Sequence, residues 1–342
     1  MKSKRIISID VIKSLACLFV IFLHCSSLFF YKNNMVVKNT LPSQIIYYIG
    51  TAAVPLFFMA NGFFLINRKR ITIEYVLRKI YAILVPVFFW NAIIYLIYFV
   101  LGRKKSYFSI LWGSLIQKSF FYQFWFLGTL ILLLCLAPFL NRLLKKSFHS
   151  FVGLLVGFVI ICFSLDLYSH LVLHFPVQSN VIQTFRLWTW IAYYMIGGVI
   201  GYLYFHNKFD IKLEKNRSVG VLILATICMI IYSVLNQKFI HNIYAEYNYD
   251  NMLIMLWISI LFITILNIKY KSELFSKFIE LISANSMGIF ILHIPILKIV
   301  VHFISTTGII NNILVIIIVF VTSLCISIVI SKIRFLSKTV KM

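Results

Sequence analysis

Residues 6–30 read IISIDVIKSLACLFVIFLHCSSLFF, an apolar stretch long enough to cross a bilayer as a helix but carrying Asp10, Lys13 and His24 inside it. A Lys or Asp near mid-bilayer costs roughly 2.5–3.5 kcal/mol on insertion scales, so ionisable groups kept in such a span are candidates for function. Lys13 and His24 are eleven residues apart. At 3.6 residues per turn this is almost three whole turns, leaving about 20° of angular offset and about 16 Å of rise. Both side chains therefore share one face at two depths, and Asp10, three residues before Lys13, lies on the same face.

Outward from this stretch, apolar runs recur along the whole chain. Hydrophobic residues make up 62% of the sequence and charged residues 12%, which excludes a soluble globular class. Ten runs are expected to span: about 6–30, 44–66, 80–101, 122–141, 151–168, 181–205, 218–236, 251–267, 281–303 and 309–332. They are continuous rather than alternating, so the expected fold is an all-α polytopic bundle in one domain, not a membrane barrel. With the N-terminus inside, the cytoplasmic segments hold 22 Lys and Arg and the outer loops 7, which predicts N-in and C-in. The net charge of +23 is mostly this topology signal; spread over six short segments, it argues against nucleic acid and for anionic lipid or a phosphorylated cytosolic ligand.

The first span is not expected to be a cleaved signal peptide, given its length and internal charges. The six cysteines all fall inside expected spans without paired spacing and read as small apolar packers. No Gly-rich phosphate loop, metal-ligand cluster or internal repeat is evident.

Further polar residues stand where a lipid-facing helix would not keep them. The second span holds Pro55 and Asn61-Gly62, a setting for a kink and a cavity. Arg68, Lys69, Arg70, Arg78 and Lys79 crowd the link that follows. Gln123 and Trp125 open the fourth span, Arg186 sits near Trp188 and Trp190, and Asn285, Ser286 and His293 gather in the ninth. Each has an ordinary reading: Lys13 as a snorkelling partner of Asp10, the 68–79 cations as topology determinants, the tryptophans and Arg186 as interfacial anchors, His293 as a core hydrogen-bonding residue. His149, His206 and His241 fall in loops and need no special role.

Four of these stretches together resemble the acyltransferase 3 family, integral-membrane enzymes whose bacterial members O-acetylate cell-surface sugars. The family's first helix places an acidic residue and then a basic residue separated by ten residues from a His, as Asp10, Lys13 and His24 stand here. Its second-helix Pro-Leu-Phe-Phe run ending in Ser-Gly appears as VPLFFMANG, ending in Asn61-Gly62. Its fourth-helix His-Leu-Trp-Phe-Leu is Gln123 to Leu127, and its late Ser-x-Gly-Ile-Tyr-x-x-His is Ser286 to His293. Three departures stand out: Lys13 replaces the usual Arg and loses its bidentate fork, Ala82 occupies the second place of a basic pair that Lys79 begins, and Gln123 replaces a His.

The resemblance implies a ten-helix acyltransferase of a bacterial inner (plasma) membrane, with acetyl-CoA as donor, no metal, and a surface polysaccharide or lipid-linked sugar as acceptor. Under it, His24 is the expected general base, assisted by Asp10 and Lys13; Arg70, Arg78 and Lys79 are expected to bind donor phosphates. Asn61, Trp125, Arg186, Ser286 and His293 are expected to line the substrate site. A sugar hydroxyl is a poor nucleophile at neutral pH, and a neutral imidazole is fit to take its proton as attack begins. The competing reading is a polysaccharide or small-anion exporter whose path is lined by Asp10, Lys13, His24 and Arg186.

Overall fold

The computed structural model describes residues 5–32, 35–206, 215–240 and 242–341. Lys2, Lys4, Lys208, Lys212 and His241 lie outside the described residues, as does the side chain of Lys215. Within a bilayer each backbone N–H and C=O needs an internal partner, and the continuous apolar runs answer this as helices. The described residues form α1 (Ile7–Phe30), α2 (Leu41–Leu65), α3 (Ile73–Val100), α4 (Tyr107–Leu115), α5 (Tyr122–Lys146) and α6 (Phe148–Leu173). They continue with α7 (Leu187–Phe205), α8 (Lys215–Phe239), α9 (Met252–Asn267), α10 (Glu273–Ala284), α11 (Ser286–Phe303) and α12 (Ile309–Lys332). The only strands among the described residues are the two-residue pair Tyr31–Lys32 and Met35–Val36.

This is an all-α membrane protein. Eight helices among the described residues (α1, α2, α3, α5, α6, α8, α11 and α12) are long and apolar enough to cross a membrane. The expected runs 181–205 and 251–267 are also helical, but α7 is diluted by Trp, Tyr and Gly, and α9 has 16 residues. At 1.5 Å per residue α9 is about 24 Å long, short of a 30 Å hydrocarbon layer.

The expected span 281–303 is corrected by the structure. The chain breaks at Asn285, whose backbone (φ −104°, ψ 9°) ends α10 and starts α11. Asn285 donates to the Leu281 carbonyl and accepts from Ser327 Oγ. The segment before it forms the amphipathic helix α10, capped by Ser272 and carrying a Glu273–Lys277 pair at i, i+4. Ile279, Ile282 and Ser283 face inward; Leu274 and Phe278 are exposed.

Helix α2 forms the centre of the bundle, with 78% of its apolar window buried, whereas α6 and α8 are peripheral at 17% each. Its closest neighbour is α7, and glycine makes that approach possible. A Cβ on Gly62 would lie 1.9 Å from the Tyr194 carbonyl oxygen, and one on Gly197 would lie 2.0 Å from that of Met59. Small residues substitute for hydrophobic attraction in this setting by letting two backbones pack against each other. Gly62 therefore seals α2 to α7, and the chain's irregularity in α2 sits earlier, in the 3₁₀ turn Gly50–Ala52 ahead of Pro55.

After α12 the chain folds back. Trp90 Nε1 on α3 donates to the Thr339 carbonyl at 3.0 Å, and Val340 is fully buried beside Gly288. Arg5 and Lys341 thereby line one cavity, so both described termini lie at the same end of the bundle. All six cysteines are free; Cys17, Cys25 and Cys162 are buried, and Cys135, Cys228 and Cys325 are exposed.

Candidate active site

The chemistry-bearing residues divide into a basic chamber at one end of the bundle and a histidine pair deeper inside. The chamber consists of two adjoining cavities of about 510 and 550 Å³, which share Lys13, Asn61, Lys79 and Leu130. Arg68 and Tyr75 complete the first; Arg5, Asp10, Ser286 and Lys341 contribute to the second. The ends of α1, α2, α3 and α11 and the returning chain terminus all meet here, so cations distant in sequence converge.

Asp10 is buried and fully engaged. It accepts from Arg5 Nε at 2.6 Å and from Ser283 Oγ at 2.6 Å. Arg5 also donates to the Glu280 carbonyl, which ties the foot of α1 to α10. The Asp10 hydrogen bond raises the pKa of the Arg5 guanidinium, a cation at the chamber wall in any case. No Asp10–Lys13 ion pair forms; among the described residues the Lys13 ammonium has no hydrogen-bond or ion-pair partner, and it faces both cavities. Asn61 donates to the Phe57 carbonyl at 2.8 Å and lines both cavities.

Phe57, Phe126 and Phe290 form the inner wall of the larger cavity, with Phe126 5.7 Å from Phe57 and 5.4 Å from Phe290 between ring centroids. Behind Phe290, at 6.0 Å, is His293, and 5.2 Å from His293 is His24. Tyr122, at the start of α5, places its hydroxyl 3.2 Å from His24 Nδ1. If Nδ1–H donates to the Tyr122 oxygen, Nε2 of His24 is left as the free base. His293 Nδ1 bonds the Ile289 carbonyl within its own helix, and among the described residues its buried Nε2 has no partner. Gln123 hooks its amide onto the Ile291 carbonyl and leaves a buried, unpartnered Oε1. Unpaired polar atoms in an apolar interior cost free energy, so His293 Nε2 and Gln123 Oε1 hold hydrogen-bonding capacity that no other described residue uses.

The structure brings Asp10, Lys13, Lys79, Asn61 and Ser286 together at the chamber, and His24 with His293 beyond it. The other expected site residues lie elsewhere. Arg70 is exposed and lines neither cavity. Arg78 faces a separate groove on the far side of Lys341. Trp125 is buried against Trp190, 5.2 Å between rings, and lines neither cavity. Arg186 is buried in a structural tie, donating to the Val181 carbonyl and Glu246 and lying over Tyr247. Asn61 and Ser286 stand at the level of Lys13 rather than beside His24.

Arg5, Tyr122 and Lys341 were not singled out by sequence. Tyr122 immediately precedes the quoted Gln123 and sits among aromatics that mask it; Arg5 and Lys341 read only as topology charges. Among the described residues no group of three His, Cys, Asp or Glu is placed to hold a metal ion.

The chain is thus an apolar helical bundle with a basic chamber at one end and, beyond Phe290, two facing histidines, of which His293 is buried and His24 half-buried. The profile of a family described as an acyltransferase domain matches residues 6–332. The chain belongs to this family, acyltransferase 3, and is a multi-pass membrane acyltransferase. No curated protein and no solved structure matches it.

Proposed function

We propose that this protein moves an acetyl group from acetyl-CoA to a hydroxyl of a cell-surface or lipid-linked carbohydrate in a bacterial plasma membrane. The observation that carries the reading is the alignment of His24, held by Tyr122 and faced by His293, with the unpartnered Lys13 ammonium at the basic chamber. Lys13, Lys79 and Arg68 bind the donor's diphosphate from the cytoplasmic side, where the excess of basic residues places them. The pantetheine arm passes the Phe57–Phe126–Phe290 wall and brings the thioester to His24.

In the transfer step, His24 Nε2 removes the proton from the sugar hydroxyl as its oxygen attacks the thioester carbonyl. The carbon–sulfur bond breaks, the acetyl ester forms, and the proton passes from His24 to the departing coenzyme A sulfur. Tyr122 holds the imidazole's orientation, and Asp10 holds Arg5 in the chamber wall. The test is incubation of purified protein with labelled acetyl-CoA and candidate glycans. Label covalently bound to glycan supports the reading; label or glycan carried across a vesicle membrane without ester formation overturns it in favour of an exporter.

A further inference from the structure

Helix α10 has 12 residues, so it is about 18 Å long and too short to cross a bilayer. It cannot leave the membrane surface either. Only Asn285 separates it from the spanning helix α11, and its cap Ser272 follows the end of α9 at Asn267 by five residues. At about 100° per residue its side chains fall into three arcs, each roughly a third of the circumference from the next. Ile279, Ile282 and Ser283 face the protein and are buried. Glu273, Lys277 and Glu280 form a charged arc, with Lys277 paired to Glu273 at 2.7 Å. Leu274, Phe278 and Leu281 form the third arc, and it is uncovered: Leu274 is 81% exposed and Phe278 54%.

Bulky apolar side chains at i, i+4 and i+7 beside a charged face match the boundary between acyl chains and headgroups, where a helix lies in the membrane plane. Lys269 and Lys271, just ahead of the cap, are exposed, and among the described residues neither has an ion-pair partner. Lysines at that level reach headgroup phosphates. Tyr270, between them, stacks on Phe275 at 5.6 Å between centroids, an amphipathic ring at the depth where such rings collect. The protein-facing arc holds the foot of α1. Ser283 Oγ donates to Asp10 at 2.6 Å, the Ile279 carbonyl accepts from Ser14 Oγ at 3.3 Å, and the Glu280 carbonyl accepts from Arg5.

We infer that α10 lies in the phospholipid interface at the chamber end of the bundle, with Leu274, Phe278 and Leu281 among the upper acyl carbons and Lys269 and Lys271 on headgroup phosphates. The uncovered stripe is three residues long and is tied at both ends to apolar helices of the bundle, which favours lipid over a protein partner. Seated there, α10 positions Arg5 and Asp10 in the chamber wall, so the membrane surface supports the site from outside. This goes beyond the acetyl-transfer reading and holds whichever molecule fills the chamber.

The test places Phe278→Trp in the full chain, in phosphatidylcholine nanodiscs, and reads its fluorescence after subtraction of the wild-type tryptophan signal. Lipid brominated near the headgroup is expected to quench position 278 more strongly than lipid brominated near the chain end, and aqueous iodide to quench it little. Quenching by iodide and not by brominated lipid puts α10 in water. Quenching by neither puts a protein partner or a second copy over the stripe, and either result overturns the inference. Leu274→Glu/Phe278→Glu removes the seat, so amide deuterium uptake across α10 and at residues 7–14 is expected to rise severalfold. Glu273→Gln/Lys277→Gln, on the charged arc, is expected to leave uptake at residues 7–14 unchanged. Should the double glutamate variant fail to fold, Leu281→Gln alone is expected to raise that uptake in part. Uptake at residues 7–14 that stays at the wild-type level while α10 loosens overturns the hold of α10 on the chamber wall.

Discussion

His24 of α1 and His293 of α11 face each other with ring centroids 5.2 Å apart, and Tyr122 closes on His24 from the start of α5. Two imidazoles at this distance with no carboxylate in contact are suited to passing a proton, not to holding a charge pair. The fold therefore brings the family's first-helix and late-helix motifs, more than 260 residues apart in sequence, into contact.

The first prediction follows from that pairing. His24→Ala is expected to lower acetyl transfer by at least about 10²-fold, the share a general base commonly supplies, while membrane insertion and donor binding persist. Transfer rates in protein that elutes as wild type on size exclusion decide it; near-normal transfer would remove His24 from the chemistry. His293→Gln, which keeps a hydrogen-bonding group but cannot accept and release a proton in the same way, is expected to fall between wild type and His24→Ala.

Lys13 supports a second prediction. Among the described residues its ammonium has no hydrogen-bond or ion-pair partner and faces both halves of the chamber, so on the proposed function its charge is available to donor phosphate. Lys13→Gln is expected to raise the donor KM with little effect on the acceptor KM, and added salt is expected to act in the same direction. Lys13→Arg keeps the charge and adds a bidentate fork, so it is expected to be tolerated. If Lys13→Arg were as impaired as Lys13→Gln, the position would require an ammonium of that size, and its correspondence with the family's arginine would fail.

The Lys13–His24 axis was legible from the sequence because helical phase alone places two residues eleven apart on one face. Helix class was equally legible, since backbone satisfaction in lipid leaves a continuous apolar run no other form. The partner of Asp10 was not. Spacing favoured Lys13 on the same helix, but Arg5 reaches back from outside the span and Ser283 arrives from α10, and tertiary contacts of that kind leave no periodic trace. The helix break at Asn285 was hidden because Ile279, Ile282 and the residues after Ser286 keep the stretch apolar across it. Trp125 and Arg186 drew attention by residue type, and their burial against Trp190 and Glu246 depends on helix packing that residue type does not encode.

A third prediction tests the α2–α7 contact that carries Asn61 to the chamber. A valine side chain at Gly197 would begin 2.0 Å from the Met59 carbonyl oxygen, and backbone cannot yield as a flexible side chain does. Overpacking of this kind costs about 1–3 kcal/mol or more. Gly197→Val is therefore expected to lower the thermal midpoint and the yield of monodisperse protein, whereas Gly153→Val, on open surface of α6, is expected to change neither. Equal midpoints for the two variants would show that α2 and α7 are not held this closely.

The last prediction concerns the aromatic wall. Phe290 borders the chamber, touches the Phe126 ring and stands 6.0 Å from His293, so it lies between the cations and the histidines. On the proposed function, a donor bound at the chamber sends its thioester past this ring, and the same ring stands between chamber water and His24. Phe290→Trp adds bulk to the passage: donor binding is expected to persist while transfer falls by about tenfold or more, because the reacting atoms lose their close approach. Phe290→Leu thins the wall at modest cost in packing and is expected to raise acceptor-free hydrolysis of acetyl-CoA, since water then reaches the thioester beside a competent base. Free thiol release with and without glycan separates the two effects. If Phe290→Trp transfers normally and Phe290→Leu hydrolyses no faster than wild type, the donor reaches His24 by a route that does not cross this ring, and the chamber and the histidine pair are joined elsewhere.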